Sequence, residues 1–482
     1  MDYLDLTIEE LHNLIKSHQV SYKDLVKEAL KRAKESKLNG FVTILEEALN
    51  LDLDESKIES PLYGIPYGLK DNFSTKGILS TGCSNILKNY VPVFNATAYQ
   101  KLQDAQAVLI GKTTMDELAM GGTGCNANNG VVHNPYDFDR ITGGSSSGSA
   151  CIVASGIVPF AIGSDTGDSV RKPAAYCGVV GFKPTYGRIS RFGLFPFAQS
   201  MDHVAFFTRS VKDSAYVLEA LQGHDQYDAT CSIKEYAPMS LKGDLKGRRI
   251  ALIKGAMKAM HNEKIIANVN SVINKMKELG CEFVECDIDY KLLRAIYSVY
   301  MVITCAEATS NNSNLDGIKF GLHVDGNSAD ESMMNTRTEG FGEFIKRRFV
   351  LGSYALAREN QDKLFLRAQR VRRLLVEKLH EILKDADAIF VPCSDHIAPL
   401  IKDSTSVLSN SLDEDNLIIE NILTLGNFSG MPSITIPSGL VDGMPVAVNL
   451  MSELFEDEKV LDIAYGLEKA LGFKNMMKKE GK

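Results

Sequence analysis

The sequence predicts an α/β fold, a mixed and largely parallel central sheet covered by helices on both faces. Three observations lead there. Short apolar runs bounded by turn residues, AVLIGKTTM (107–115) and GIVPFAIGSDT (156–166), have the length and bulk of buried strands. The segments RRIALI (248–253), a periodic stretch at 263–279 and EFVECDI (282–288) read as a strand–helix–strand unit. Strand-like and helix-like stretches then continue to alternate to the end of the chain, the pattern of parallel strands joined by helical crossovers. No internal repeat of 20 to 50 residues is present.

The elements follow in order. Residues 7–36 read as two short helices: Thr7 with Glu10 forms a capping box, and Ser21 opens the second helix. LYGIPYGL (62–69) carries the Gly and Pro punctuation of a strand and its turn. An amphipathic helix rich in Arg, Leu and Lys is expected from about 358 to 384, then a buried strand at AIFVPC (388–393). PSITIP and PVAVNLM read as further strands, and a last helix lies near 456–471. Residues 223–245 and 395–415 look like surface loops.

Composition narrows the function. With 482 residues the chain can bury a large core. A net charge of −8 argues against binding nucleic acid unaided, because no basic excess is available to neutralise phosphates. The nine cysteines show no metal spacing; Cys281 and Cys286 are the nearest pair, with no histidine beside them. An odd count of free thiols fits a reducing compartment, and the acidic N-terminus has no apolar leader, so a cytoplasmic location is expected. No run of 18 apolar residues predicts a membrane span, and no metal or cofactor is expected in this chain.

One stretch, GGSSSGSA from Gly143 to Ala150, asks for an explanation. As a phosphate loop it fails: the single Gly-Lys-Thr is Gly111-Lys112-Thr113, and Gln106 stands where the leading glycine belongs. Gly144 to Gly148 matches G-x-S-x-G, but the preceding YDFDRITG is too polar for the strand a nucleophile elbow needs, and His133 and His203 would have to supply the base.

The third reading joins distant segments. GIPYGLKDNF (64–73), the serine–glycine run, and GSDTGDSVRKPAAYCGVVGFKPTYGRISRFG (163–193) together resemble the amidase signature family. DELAMGG, the KRR motif at 346–348 and the GMPVAVNLM ending extend the resemblance over nearly the whole chain, within the branch that forms the A subunit of tRNA-dependent amidotransferases. It implies one amidase-signature domain: N-terminal helices at 7–36, a signature core at about 60–205, and a portion at about 246–472 that completes sheet and pocket. The family's Ser-cisSer-Lys triad falls on Lys70, Ser145 and Ser169, separated by 75 and 24 residues. Ser169 matches the nucleophile, Ser145 the bridging serine and Lys70 the base; backbone N–H groups of Thr166, Gly167 and Asp168 match the oxyanion donors. A glutaminase feeding ammonia to partner B and C subunits is implied, with ATP and magnesium used by the partner on misacylated tRNA. The alternatives are a stand-alone amidase and a catalytically impaired assembly subunit. The sequence does not discriminate Gln-tRNA from Asn-tRNA as product.

Two departures stand out. The family usually has T-G-G-S-[IV]-R-Q-P, and this chain has T-G-D-S-V-R-K-P, placing Asp168 beside the nucleophile and Lys172 four residues on. An Asp168–Lys172 pair that preserves local charge is the expectation. Ser147 also stands where the family's loop has glycine. For the substrate's ends, the resemblance puts a carboxylate-binding arginine on Arg348 and an ammonium-binding acid on Glu420.

Overall fold

The computed structural model describes residues 2–404 and 413–480. Eleven strands form one sheet in the order β1-β3-β2-β6-β8-β7-β12-β13-β11-β9-β10. The strands are β1 (Phe41–Ile44), β2 (Pro66–Lys70), β3 (Val108–Thr113), β6 (Phe160–Asp165), β7 (Val180–Lys183) and β8 (His203–Thr208) from the first half. The second half adds β9 (Arg249–Ile253), β10 (Glu282–Cys286), β11 (Ala388–Pro392), β12 (Ser433–Val441) and β13 (Met444–Met451). A separate two-stranded ribbon, β4 (His133–Asn134) with β5 (Asp137–Ile141), lies between β3 and β6 in sequence.

Parallel pairing occurs where strand–helix alternation is read in the sequence. β3, β2 and β6 are parallel neighbours at one end, and β11, β9 and β10 at the other. Between these blocks, β8, β7, β12 and β13 pair antiparallel, which makes the sheet mixed as expected and puts its antiparallel part at the centre. The reason is local: a two-residue turn at Asp442-Gly443 joins β12 to β13, whereas a parallel pair needs a long crossover.

Both capping signals at the N-terminus hold. Thr7 and Glu10 exchange hydrogen bonds before helix Ile8–Lys16, and Ser21 caps helix Tyr22–Glu35. The helix expected at 358–384 is shorter: helix Glu343–Leu356 ends, the chain turns, and a π-helical turn (Asp362–Leu366) leads into Arg367–Leu383. No Gly or Pro marks that break, so periodicity alone does not register it. Residues 223–245 carry neither helix nor strand, as expected. The 395–415 loop contains a short helix, Ile401–Ser404, and its residues 405–412 lie outside the described residues.

Helix Tyr290–Asn311 is missed by the sequence reading and is the one helix, among the described residues, long and apolar enough to cross a membrane. Its Leu293, Ile296, Val299 and Ile303 are buried in the main core. Gly352 lets helix Glu343–Leu356 approach it so closely that a Cβ there would lie 2.0 Å from the Cys305 carbonyl oxygen. All nine cysteines are free thiols.

Candidate active site

Lys70 ends β2 and Asp165 ends the adjacent parallel strand β6, so the segments that follow them leave the same edge of the sheet. Ligands of open α/β sheets gather at such carboxyl ends. The serine run reaches this edge from the other direction, preceding helix Ser147–Ala154. Gly144 makes a cis peptide with Ser145, and a Cβ on Gly144 would strike the Asp116 carboxylate at 1.9 Å. Gly148 is equally closed: its Cβ would lie 2.3 Å from the Gly40 carbonyl. The glycines of the run therefore serve close packing rather than flexibility.

Lys70 is fully buried, and its Nζ lies 2.7 Å from Ser145 Oγ, 2.9 Å from Ser146 Oγ and 3.0 Å from Ser164 Oγ. Burial pushes its pKa down to about 7, against the pull of Asp116, Asp165 and Asp202. It is thus a lysine that is neutral for much of the population near neutral pH. Ser169 follows in the loop after β6, 3% exposed, and its carbonyl accepts the Ser146 N–H at 3.2 Å, which stitches the two serine loops together. Lys70, Ser145 and Ser169 are therefore brought to one place.

The loop carrying Ser169 is held from below. Asp165 takes the N–H groups of Val170 and Arg171 at 2.9 and 3.3 Å, so the helix N-terminus is capped by Asp165 and not by Ser169. Arg171, fully buried, clamps Asp165 through Nε and Nη2 and also reaches the Gly167 carbonyl (2.8 Å) and Leu423 carbonyl (2.6 Å). Burial opposes ionisation of Asp165, but Arg171 and its hydrogen bonds hold its carboxyl well below the usual carboxylate range. Asn427 closes the network with bonds to the Asp165 backbone and side chain at 3.0 and 2.9 Å. Thr166 Oγ1 donates to Asp202 at 2.7 Å. Among the described residues, the N–H groups of Thr166, Gly167 and Asp168 meet no backbone or side-chain acceptor. Sequence reasoning missed Ser146, Ser164, Asp165, Arg171 and Asn427; Asp165 and Arg171 flank TGDS and were legible as a charged bracket, while Asn427 carries no local signal.

The charges around Ser169 differ from expectation. Lys172 pairs with Glu420 at 2.9 Å and donates to the Cys393 carbonyl at 2.8 Å; it forms no ion pair with Asp168. The spacing of four residues permits the Asp168–Lys172 pair, but the longer lysine reaches a carboxylate brought in by the helix Glu414–Asn421. Glu420 is correspondingly occupied: it also accepts from Ser394 Oγ (2.8 Å) and the Asp395 N–H (3.1 Å). Assigning it to a substrate ammonium is corrected on that ground: three of its about four acceptor sites are occupied inside the fold, and its charge is matched by Lys172. Arg348 is 7% exposed, with its guanidinium over the Phe344 and Phe197 rings, and its Nε and Nη1 have no hydrogen-bond partner. Ser147 is accommodated, its Oγ donating to the Thr114 carbonyl at 3.4 Å.

The other two readings of the serine run fail on geometry. Lys112 lies in β3, fully buried, bonded to the Phe73 carbonyl (2.8 Å) and Ser80 Oγ (2.7 Å) and facing Asp71, so no phosphate cradle exists there. Ser146, the centre of G-x-S-x-G, bonds to Lys70 and Ser164 rather than to a histidine. His133 stacks on Phe138, and His203 binds the Met201 carbonyl.

Comparison with known proteins gives the family. The family model for amidases matches residues 24–461. The chain belongs to the amidase family. The glutamyl-tRNA(Gln) amidotransferase A subunit of Geobacillus thermodenitrificans is 37% identical, over 98% of this chain and 99% of that one. Its counterpart from Fusobacterium nucleatum is 38% identical, over 98% of each chain. The crystal structure of the corresponding Thermotoga maritima protein superposes with a TM-score of 0.81 and 32% identity, covering 97% of this amidase and 95% of that chain.

Proposed function

We propose that this amidase is the glutaminase subunit of a tRNA-dependent amidotransferase. Neutral Lys70 accepts the Ser145 hydroxyl proton as Ser145 accepts that of Ser169, and Ser169 attacks the side-chain amide carbon of glutamine. The oxyanion of the tetrahedral intermediate is received by N–H groups of Thr166, Gly167 and Asp168. The relay then reverses: Lys70 returns its proton through Ser145 to the leaving nitrogen, ammonia departs, and water cleaves the glutamyl ester by the same path. Arg348 holds the α-carboxylate, for which a guanidinium fork is suited.

The 2.7 Å Lys70–Ser145 contact, made by a fully buried lysine, carries the reading. Full-length relatives that bear the name of the amidotransferase's A subunit support the larger role: ammonia passes to a complex with B and C subunits that amidates misacylated tRNA in the cytoplasm. ATP and its magnesium belong to the partner, since Lys112 of the single Gly-Lys-Thr is committed inside β3.

The test is ammonia release from glutamine by the purified chain, alone and with co-expressed B and C subunits and Glu-tRNA. Release that rises with the partners and charged tRNA, and falls to background in Ser169→Ala, is the expected result. Unchanged release in Ser169→Ala overturns the acyl-enzyme.

A further inference from the structure

Asp168 stands immediately before the nucleophile, half-buried, with no ion-pair partner, because Lys172 is turned to Glu420. Arg348 is the complementary oddity, a buried guanidinium with two unpartnered nitrogens. Tyr300 and Phe197 connect them. The Tyr300 ring lies against Gly167, where a Cβ would come within 2.8 Å, and Phe197, 5.5 Å beneath the Arg348 guanidinium, donates its N–H to the same Asp202 that accepts from Thr166 Oγ1. A cation and an anion, neither held in an ion pair, thus border the same loop of the site. Buried charges without partners are costly, and a zwitterion supplies both missing partners at once.

We propose that Asp168 binds the α-ammonium of the substrate while Arg348 binds its α-carboxylate. The assignment rests on the glutaminase reading and gives Asp168 the role that Glu420, its charge matched by Lys172, does not fill. It also resolves the awkward position of a carboxylate beside the oxyanion donors. Free Asp168 opposes negative charge developing on the amide oxygen; Asp168 paired with an ammonium does not. Substrate head-group and rate are therefore coupled: an amide lacking the α-ammonium leaves the carboxylate uncompensated, and both its binding and its acylation suffer.

The experiment compares glutamine with glutaramate, which is glutamine without its amino group, in the assembled complex. Asp168→Asn is expected to lower the ratio of kcat/KM for glutamine over glutaramate by about 10- to 100-fold, the scale of one hydrogen bond to a charged group. A ratio unchanged by Asp168→Asn, including a uniform fall on both substrates, overturns the assignment. Calorimetry on Ser169→Ala provides a second reading: glutamine should bind more tightly than glutaramate, and the preference should vanish in Ser169→Ala/Asp168→Asn. A wild-type complex that neither hydrolyses nor binds glutamine overturns the glutaminase reading itself, an outcome distinct from glutamine hydrolysis with an unaltered ratio.

Discussion

A lysine accepts a proton from a serine only when it is itself unprotonated, and at Lys70 burial achieves this by pushing the pKa down to about 7. The sign of the pH dependence follows. Below that value the ammonium form dominates and no base exists; above it the amine is free. kcat/KM for ammonia release is expected to rise with pH through about 7 and then level, and a profile flat across neutrality would remove Lys70 as the base. Asp168 acts in the same direction. Burial first, then Asp165 and Glu420, raise its carboxyl to about 6 while Lys172 and Arg171 oppose, so it is ionised and able to hold an ammonium in the range where Lys70 becomes a base. The triad residues were legible in the sequence because GLKDN, the serine run and TGDSVRKP are each distinctive. The partner of Lys172 was not, because a four-residue spacing does not report that Glu420, 248 residues away, is nearer.

At the scale of elements, the helix Ser147–Ala154 is what presents Ser145 and Ser146 to Lys70. Its seat depends on Gly148, whose Cβ would meet the backbone of Gly40 at 2.3 Å and both N and O of Thr114 at 2.7 Å. None of these atoms is the tip of a flexible side chain. Gly148→Ala is expected to destabilise the protein by about 1–3 kcal/mol and to lower turnover, read by denaturant unfolding and ammonia release. Gly122→Ala, with nothing within 4 Å of the added methyl and no unusual backbone angle, should leave stability unchanged and is the control. Element boundaries were legible where capping chemistry marks them, at Thr7 and Ser21, and lost where a helix breaks without Gly or Pro, as after Leu356.

Across the whole molecule, the nucleophile's loop comes from one half of the chain and its restraints from the other. Arg171 spans the two, joining Asp165 to the Leu423 carbonyl and to Asn427. Arg171→Met removes one partner of a fully buried pair and leaves the Asp165 carboxylate uncompensated. A loss of about 3–5 kcal/mol is expected, with a fall in the denaturation midpoint and in ammonia release together. A variant that unfolds at the wild-type midpoint would show that Asn427 and the backbone N–H groups suffice to hold Asp165. The continuous sheet provides the frame for this bridge, because β7 of the first half pairs with β12 of the second.

The sequence by itself determined the family, the α/β alternation and the three residues proposed for the proton relay, since each depends on residue types at short range or on long distinctive motifs. Only the tertiary structure decided how the sheet closes through an antiparallel centre and how the charges beside Ser169 are shared out. Charge pairing is set by distance in space, and the carboxylate that claims Lys172 arrives on a helix far along the chain. With Lys172 held by Glu420, Asp168 has no ion-pair partner within its own loop.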